Sequence, residues 1–209
     1  MGIPILIYGR SGSGKSRSLK NFGEGEITLI NVESKPLPFR KKFRYTINTD
    51  SYKKIIEALD KTPSETTVID DAGYLLTNMF MRSHASRGAG ASTFDLYNDI
   101  GDSFWRLIKH IKQLPENKIV YIMMHEEQSD SGAVKLKMLG KLLEQKVCVE
   151  GMVTIVIRCM CDENRHYFRV TNNGADITKA PEDMFSKTEI ENDLKQVDDI
   201  IRDYYGLKK

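Results

Sequence analysis

The chain alternates short apolar runs with segments whose apolar residues recur at helical spacing. The runs are nearly continuous and rich in Ile, Val, Leu and Met, which is typical of strands buried on both faces of a parallel sheet. Strands alternating with helices predict an α/β fold, with a mostly parallel twisted sheet flanked by helices. The predicted strands cover residues 3–8, 27–32, 66–69, 118–124 and 152–158, and residues 166–170 are expected to form a C-terminal β-hairpin with the last of them.

Two segments between the strands have the spacing of helices. Residues 51–59 predict a short helix, and a longer one precedes the fourth strand. Pro115 is expected to end the longer helix, because proline has no N–H with which to continue it. The apolar stripe of the longer helix consists of Tyr97, Ile100, Phe104, Leu107, Ile108, Ile111 and Leu114.

The end of the chain predicts a terminal amphipathic helix. Ser186 and Glu189 have the spacing of a capping box. The apolar residues after them recur at three- and four-residue steps, and this seam would cover the sheet of the same chain or dock on a neighbouring subunit. The seam residues are Ile190, Leu194, Val197, Ile201 and Tyr204. We therefore expect a core domain over residues 1–185 and a terminal helix over residues 186–209.

Length and composition indicate one compact domain, with 209 residues of which 40% are hydrophobic. The formal net charge is only +2, so nucleic-acid binding would depend on local basic patches. The three cysteines lack C-x-x-C spacing, and with four scattered histidines they predict neither a disulfide framework nor a zinc site. No apolar run has the length of a membrane span or the features of a signal peptide, and we expect a cytoplasmic protein.

A glycine-rich loop follows the first apolar run. GRSGSGKS, residues 9–16, matches the phosphate-binding pattern G-x-x-x-x-G-K-[ST] between a predicted strand and a predicted helix. Glycines let consecutive backbone N–H groups face a triphosphate, Lys15 can reach the β- and γ-phosphates, and the Ser16 hydroxyl can bind Mg²⁺. We therefore expect ATP and Mg²⁺ as cofactors. The predicted nucleotide-binding residues are Gly9, Arg10, Ser11, Gly12, Ser13, Gly14, Lys15, Ser16 and Arg17.

Two acidic residues follow the third predicted strand. Phosphoryl transfer with Mg²⁺ needs a carboxylate near the metal, and we expect it at the end of a strand neighbouring the first. Asp70 stands at that position, and we predict that it holds Mg²⁺ through the water shell of the ion. Asp71 is a second candidate catalytic residue that could polarise a reacting group or only cap the turn.

The order of these motifs resembles the RecA-type ATPase core. In that core the P-loop strand is followed by a strand ending in glutamate and then by one ending in aspartate, and Glu33 and Asp70 occupy these positions. The segments VIDDAGYLL, YIMMHEEQ and TKAPEDMF narrow the resemblance to small phage ATP-binding proteins of the single-strand-annealing type, over residues 3–185. The resemblance implies that Glu33 orients the attacking water; a solvated acid at a strand end is the alternative.

The resemblance also implies two further catalytic candidates. His125 follows the fourth strand and would donate from its neutral ring to a phosphate oxygen, although a lone histidine can equally be structural. RecA-like ATPases complete their site with a cation from the adjacent subunit, and Lys179 in TKAPEDMF is the candidate. The alternative is a surface lysine before a proline turn. A homo-oligomer with shared ATP sites would follow from the first interpretation.

Three basic segments are candidates for contact with single-stranded DNA. Residues 35–45 interleave cations with aromatics, a composition suited to phosphate contact and base stacking, or to a connection whose aromatics are buried. Residues 82–92 contain Arg82 and Arg87 among small, flexible residues and no acid, so this segment could mould to a DNA backbone or simply stay disordered. The third segment carries Lys135, Lys137, Lys141 and Lys146. In RecA-like proteins the loops after the third and fourth strands line the DNA path, which favours the last two segments.

Together these patterns predict a slow, DNA-stimulated, Mg²⁺-dependent ATPase that couples nucleotide state to single-stranded DNA binding in phage recombination or annealing. A phage single-strand-binding protein would be a further partner, in the cytoplasm of the host cell. Two alternatives stay open. One is a nucleotide-binding scaffold without significant hydrolysis. The other is a nucleoside or nucleotide kinase, which is disfavoured because no compact arginine cluster follows the fourth strand.

Overall fold

A nine-stranded sheet forms the centre of the fold in the part of the chain that the computed structural model describes, residues 1–86, 91–140, 147–163 and 165–207. The strands are β1 (Ile3–Gly9), β2 (Ile27–Asn31), β3 (Tyr45–Asn48), β4 (Thr66–Asp70), β5 (Ile119–Gln128), β6 (Val134–Leu136), β7 (Ile155–Asp162), β8 (Arg165–Arg169) and β9 (Glu189–Glu191). Their order across the sheet is β3-β2-β4-β5-β1-β7-β8-β9, and β6 pairs with β5.

The centre of the sheet is parallel from β3 to β7, and β8 and β9 continue it in antiparallel fashion. This confirms the predicted α/β fold with its C-terminal hairpin, an arrangement consistent with a P-loop nucleoside triphosphatase fold. One expectation is wrong: the strand that carries Asp70 is not the neighbour of β1. β5 lies between them, with Ile122 level with both Leu6 and Ile69. His125 of β5, which is level with Gly9 at the end of β1, is thereby placed between the ends of β1 and β4.

Helices cover both faces of the sheet. α1 (Tyr52–Lys61), α2 (Gly73–Ser83) and α3 (Ala91–Gln113) pack on one face, and α4 (Leu194–Tyr204) packs on the other with the 3-10 helix Ser16–Asn21. Alternate residues of β1 serve the two layers: Leu6 faces the first, and Ile7 faces the second. The continuous apolar runs predicted strands buried on both faces, and this is confirmed. None of the described helices is both long and apolar enough to cross a membrane.

The end of the chain differs from its prediction. Residues 189–191 form β9 against β8, so Ser186 and Glu189 do not cap a helix. The helix begins later, at Leu194, where the Asp193 side chain accepts hydrogen bonds from the first free N–H groups. Ile190 consequently belongs to the strand and not to the helical seam.

A buried polar cluster attaches α4 to the sheet. Asp198 accepts hydrogen bonds from the hydroxyls of Thr66 and Tyr121, each at 3.0 Å, and from Arg202 Nε at 2.8 Å. Burial raises the pKa of Asp198, and the nearby Arg202 opposes that rise. Because α4 packs on the sheet of its own chain, its apolar seam is occupied: Leu194, Val197 and Ile201 are fully buried.

Two local elements also differ from expectation. The helix after the glycine-rich loop is a short 3-10 helix over Ser16–Asn21, with the extended residue Phe22 as its C-cap. Arg82 lies in the last turn of α2, and residues 84–86 continue as a 3-10 helix, so the described part of the segment 82–92 is helical. Arg87 lies outside the described residues.

Candidate active site

The loop that follows β1 holds its lysine against its own backbone. Gly12 and Gly14 have positive φ angles of 78° and 107°, a conformation that residues with a side chain disfavour. Lys15 Nζ donates hydrogen bonds to the carbonyl oxygens of Gly9 at 2.8 Å and of Arg10 at 2.9 Å. Burial lowers the pKa of the Lys15 amine. The lysine is therefore a desolvated amine surrounded by the loop.

The loop rests on the C-terminal part of the sheet, through residues that sequence reasoning missed. The carbonyl oxygen of Ser13 accepts hydrogen bonds from His166 Nδ1 at 2.8 Å and from the Cys159 thiol at 3.2 Å. Asn192 in turn donates to the sulfur of Cys159 at 3.3 Å. A Cβ atom at Gly14 would lie 2.8 Å from His166 Nδ1, so this close approach requires glycine.

Ser16 and Asp70 meet at the front of the loop. The Ser16 hydroxyl donates to Asp70 Oδ2 at 2.8 Å, while the buried Oδ1 has no hydrogen-bond partner among the described residues. Burial, with a smaller contribution from the neighbouring Asp71 carboxylate, raises the pKa of Asp70 from 3.8 to about 6. A buried carboxylate oxygen without a donor is a costly arrangement unless a cation or a donor binds there.

Asp71 is held beside the same loop. Its φ angle of 59° is unusual for a residue with a side chain, and its buried carboxylate forms an ion pair with Lys35. His125 Nε2 lies 3.9 Å from the other Asp71 oxygen, and Tyr74 packs edge-on against the His125 ring at a centroid distance of 5.8 Å. Burial, followed by the charge of Lys15, lowers the pKa of His125, which keeps the ring neutral at pH 7.

These groups surround one open cavity of about 370 Å³. Its walls combine the loop with groups from β4, β5 and the segment after β2. The polar wall residues are Ser11, Lys15, Ser16, Arg17, Lys35, Asp70, Asp71, His125 and His166. A site with backbone N–H donors, a buried lysine and paired carboxylates is suited to a phosphate chain accompanied by a divalent cation.

The sequence match agrees with this geometry. Residues 1–189 match a family model described as an AAA domain. The chain belongs to the AAA domain family. The AAA domain is a P-loop ATPase-like, nucleotide-binding domain, so at this level the resemblance to P-loop ATPases is confirmed. No curated protein matches the chain.

Not every side chain of the glycine-rich loop faces the cavity of the AAA domain, although the sequence predicts that all of these residues bind nucleotide. Ser11, Gly12, Gly14, Lys15, Ser16 and Arg17 line it. The Arg10 side chain turns away, toward Glu126 at 3.3 Å and Gln128 at 3.2 Å, and contributes its carbonyl oxygen to Lys15. The backbone of Ser13 faces His166 and Cys159 instead.

Glu33 is not among the described residues that line the cavity. Its carboxylate accepts a hydrogen bond from the Asn78 side chain of α2 at 2.9 Å. The same Asn78 amide donates to Asp50 at 3.0 Å, and Asp50 forms an ion pair with Arg82. In the AAA domain Glu33 and Arg82 are therefore the two ends of one hydrogen-bonded chain, and the water-orienting role of Glu33 stays a prediction.

The basic residues predicted to contact DNA have varied surroundings. Lys135 forms an ion pair with Glu127 at 3.1 Å. The Lys137 backbone donates to the His125 carbonyl oxygen at 2.8 Å, and Lys137 lines a cavity of about 390 Å³ together with Tyr74 and His125. Lys141 and Lys146, like Arg87, lie outside the described residues. A backbone hydrogen bond thus joins Lys137 to His125.

Residues 35–45 form a connection with packed aromatics, the second of the two interpretations offered for this segment. Phe43 is 5% exposed, and Phe39 packs against it edge-on at 6.3 Å between ring centroids. The Lys41 amine donates to the carbonyl oxygens of Lys20 and Phe22, at 2.6 and 2.7 Å. Phe43 is consequently part of the core layer, and the partly buried Phe39 packs against it.

Lys179 is not among the described residues around the phosphate-binding loop. Its backbone pairs with Val156 of β7, at 2.8 and 3.0 Å. Its side chain lines a separate cavity of about 340 Å³, near Pro181 and Phe185. Within one AAA domain, Lys179 therefore does not join Lys15, and the predicted donation across a subunit boundary stays a prediction.

Proposed function

We propose that the chain binds and hydrolyses ATP with Mg²⁺ and couples its nucleotide state to single-stranded DNA in phage recombination or annealing. One observation carries the ATPase part. Lys15, Ser16, Asp70, Asp71 and His125 meet around one cavity that is large enough for a phosphate chain. Hydrolysis of a phosphoanhydride needs little covalent chemistry from the protein, and these residues supply the positioning and the charge.

Lys15 is the group that would neutralise the phosphates. Its amine donates to two carbonyl oxygens of the loop, and burial lowers its pKa. A triphosphate would bring negative charge to a desolvated amine, where electrostatic attraction is stronger than in water. The N–H groups of the loop would add further donors to the same phosphates.

Ser16 and Asp70 fit a magnesium ion. Both offer oxygen, the donor type that Mg²⁺ prefers, and the buried Asp70 Oδ1 has no partner among the described residues. When bound, Mg²⁺ would supply positive charge to the β- and γ-phosphate oxygens. Because the pKa of Asp70 is about 6, the carboxylate is mostly ionised at neutral pH and ready to receive the ion.

Asp71 and Glu33 are the candidates for holding the attacking water. Asp71 lines the cavity, and its conformation is fixed by the turn after β4. Glu33 is bound to Asn78 and would need to exchange that hydrogen bond for the water. The neutral His125 would donate to a phosphate oxygen as charge develops there.

The coupling to DNA is supported by the chain of hydrogen bonds from Glu33 to Arg82. A DNA phosphate that drew Arg82 away from Asp50 would leave Asp50 and Asn78 free to rearrange, and with them Glu33. Arg87, Lys135 and Lys137 would add contacts to the DNA backbone. The N–H of Lys137 donates a hydrogen bond to the carbonyl oxygen of His125. Binding of this kind weakens steeply with added salt.

A phosphate-release assay with and without single-stranded DNA tests the proposal. We expect Mg²⁺-dependent release of phosphate from ATP, stimulated by DNA in the wild type and not in Arg82→Ala. The matched control is Arg106→Ala, since Arg106 is also a surface arginine paired with an aspartate, Asp102, at 2.7 Å. Equal stimulation in both variants would contradict the coupling path, and no release under any condition would contradict the ATPase.

A scaffold that binds ATP without hydrolysing it is the second candidate, because Glu33 is not among the described residues of the cavity walls. It predicts tight ATP binding with no phosphate release, with or without DNA. The kinase alternative predicts that ADP forms without free phosphate when a nucleoside or nucleotide acceptor is added. One measurement of ADP and phosphate together therefore separates the three candidates.

A further inference from the structure

The backbone of Lys35 is held at the edge of the cavity by hydrogen bonds to one side chain. The side-chain amide of Asn31, at the end of β2, donates to the Lys35 carbonyl oxygen at 2.7 Å and accepts from the Lys35 N–H at 3.2 Å. Pro36 and Pro38 restrict the backbone that follows. Both backbone groups of Lys35 are thus fixed by one side chain, which is itself buried.

The Lys35 side chain points into the site. Its amine forms an ion pair with Asp71 and lies 5.6 Å from the centre of the Tyr74 ring. The hydrogen bond to Asp71 raises the pKa of the Lys35 amine, so the group is charged at neutral pH. With 57% of its side chain exposed, against 8% for Asp71, the lysine is free to change partners while the carboxylate is not.

We propose that Lys35 is a phosphate-contacting cation built into the chain, which exchanges Asp71 for the terminal phosphate of a bound nucleoside triphosphate and so frees Asp71 to hold the attacking water. This inference rests on the proposed binding of ATP at the same cavity. The exchange is favourable because the terminal phosphate carries more negative charge than a single carboxylate and lies in the same cavity.

The reaction that Lys35 would assist is simple hydrolysis. The oxygen of the water forms a bond to the terminal phosphorus while the bridging P–O bond breaks. The bridging electron pair stays on ADP, one proton of the water stays on the inorganic phosphate, and the other proton is released to solvent. Asp71 accepts a hydrogen bond from the water, and Lys35 neutralises charge on the terminal phosphate oxygens.

A cation within the chain has a consequence for assembly. Each subunit would contain the charge that stabilises the transferring phosphoryl group, so turnover per subunit would not depend on protein concentration. A cation supplied by Lys179 of a neighbour would instead make turnover rise with assembly. The two arrangements are therefore distinguishable in the wild type.

The test measures affinity for ADP, affinity for a non-hydrolysable ATP analogue, and turnover of ATP, all without DNA. Lys35→Ala should leave the affinity for ADP unchanged, lower the affinity for the ATP analogue, and lower kcat by about 10²–10³-fold. Lys35→Arg should retain most of the analogue affinity, because it keeps the charge. Lys53→Ala, at an exposed lysine of α1, is the control and should match the wild type.

Asp71→Asn provides a readout that does not depend on hydrolysis. Removing the carboxylate frees Lys35, so the ATP analogue should bind more tightly relative to ADP, and adding Lys35→Ala should abolish that gain. Unchanged analogue affinity in Lys35→Ala, or an equal loss of ADP and analogue affinity, would overturn the proposal for Lys35. Failure of the wild type to bind either nucleotide would instead refute the proposed function.

Discussion

Asp70 carries an unfavourable charge in the candidate site, and replacing it with asparagine should stabilise the protein in the absence of nucleotide. Its side chain is buried, one oxygen has no partner among the described residues, and burial together with Asp71 raises its pKa from 3.8 to about 6. The asparagine side chain would keep an oxygen to accept the Ser16 hydroxyl. The change therefore removes an unfavourable charge while retaining the hydrogen bond at 2.8 Å.

The magnitude follows from the difference between the two pKa values. The native state retains the Asp70 proton at higher pH than the unfolded chain, so stability falls as the pH rises from about 4 to about 6. At about 1.4 kcal/mol for each pH unit, the charge lowers the free energy of unfolding by about 3 kcal/mol at pH 7.5 and by roughly half as much at pH 5. For a chain of this length, about 3 kcal/mol corresponds to a rise in Tm of roughly 6–12 °C in Asp70→Asn.

Urea and thermal unfolding between pH 5 and 8, with chelator and without nucleotide, would measure the difference. Asp130→Asn is the control, because Asp130 is exposed in the turn after β5 and should change stability by less than about 0.5 kcal/mol at every pH. Adding Mg²⁺ and ATP should reduce the difference in stability between Asp70→Asn and the wild type. At a ligand concentration of about 100 times Kd the wild type gains about 2.7 kcal/mol, and Asp70→Asn, which lacks the carboxylate, gains less.

Two results would refute this reasoning. One is an Asp70→Asn protein that is no more stable than the wild type at pH 7.5. The other is a stability difference that does not grow between pH 5 and pH 7.5, since only the titration of Asp70 produces that growth.

The remaining predictions concern the reaction. Lys15→Ala should abolish ATP binding and turnover while circular dichroism and Tm show an intact fold, because the amine carries charge and its burial is unfavourable; normal nucleotide affinity would remove the loop from the site. Glu33→Gln should keep ATP binding and lower turnover by about 10²-fold, and wild-type turnover would exclude Glu33 from the mechanism. If a neighbouring subunit supplies Lys179, Lys179→Ala should lose turnover at unchanged ATP affinity and recover it when mixed with Lys15→Ala. Wild-type activity of Lys179→Ala would show that Lys179 is a surface residue with no role in turnover.

The sequence predicts those strands that can be recognised from their own residues alone. β1, β2, β4 and the first part of β5 are buried on both faces, and their apolar residues form the short runs that such burial favours. The apolar pattern does not predict β3, because β3 is a half-exposed edge strand of alternating burial. The predicted fourth strand ends at Met124, but pairing with β6 continues β5 to Gln128. Pairing partners of this kind are tertiary and leave no local signal.

The residues of the candidate site likewise divide into those that a sequence motif predicts and those that only the fold brings to the loop. Lys15, Ser16 and Asp70 follow from a motif whose spacing reflects one backbone geometry. His166 and Asn192 reach the loop only because β8 and β9 extend the sheet beyond β7, which no spacing in the sequence reveals. The sequence marks Lys35 only as part of a basic segment.

The support beneath the glycine-rich loop has a consequence for how the protein is made. The loop lies at residues 9–16, yet β1 pairs with β5 and β7, and the carbonyl of Ser13 rests on Cys159 and His166. A nascent chain that does not yet include β5 outside the ribosome has none of these partners. Nucleotide therefore cannot assist the earliest stages of folding on the ribosome, because the loop gains its support only after β5, β7 and β8 have been synthesised.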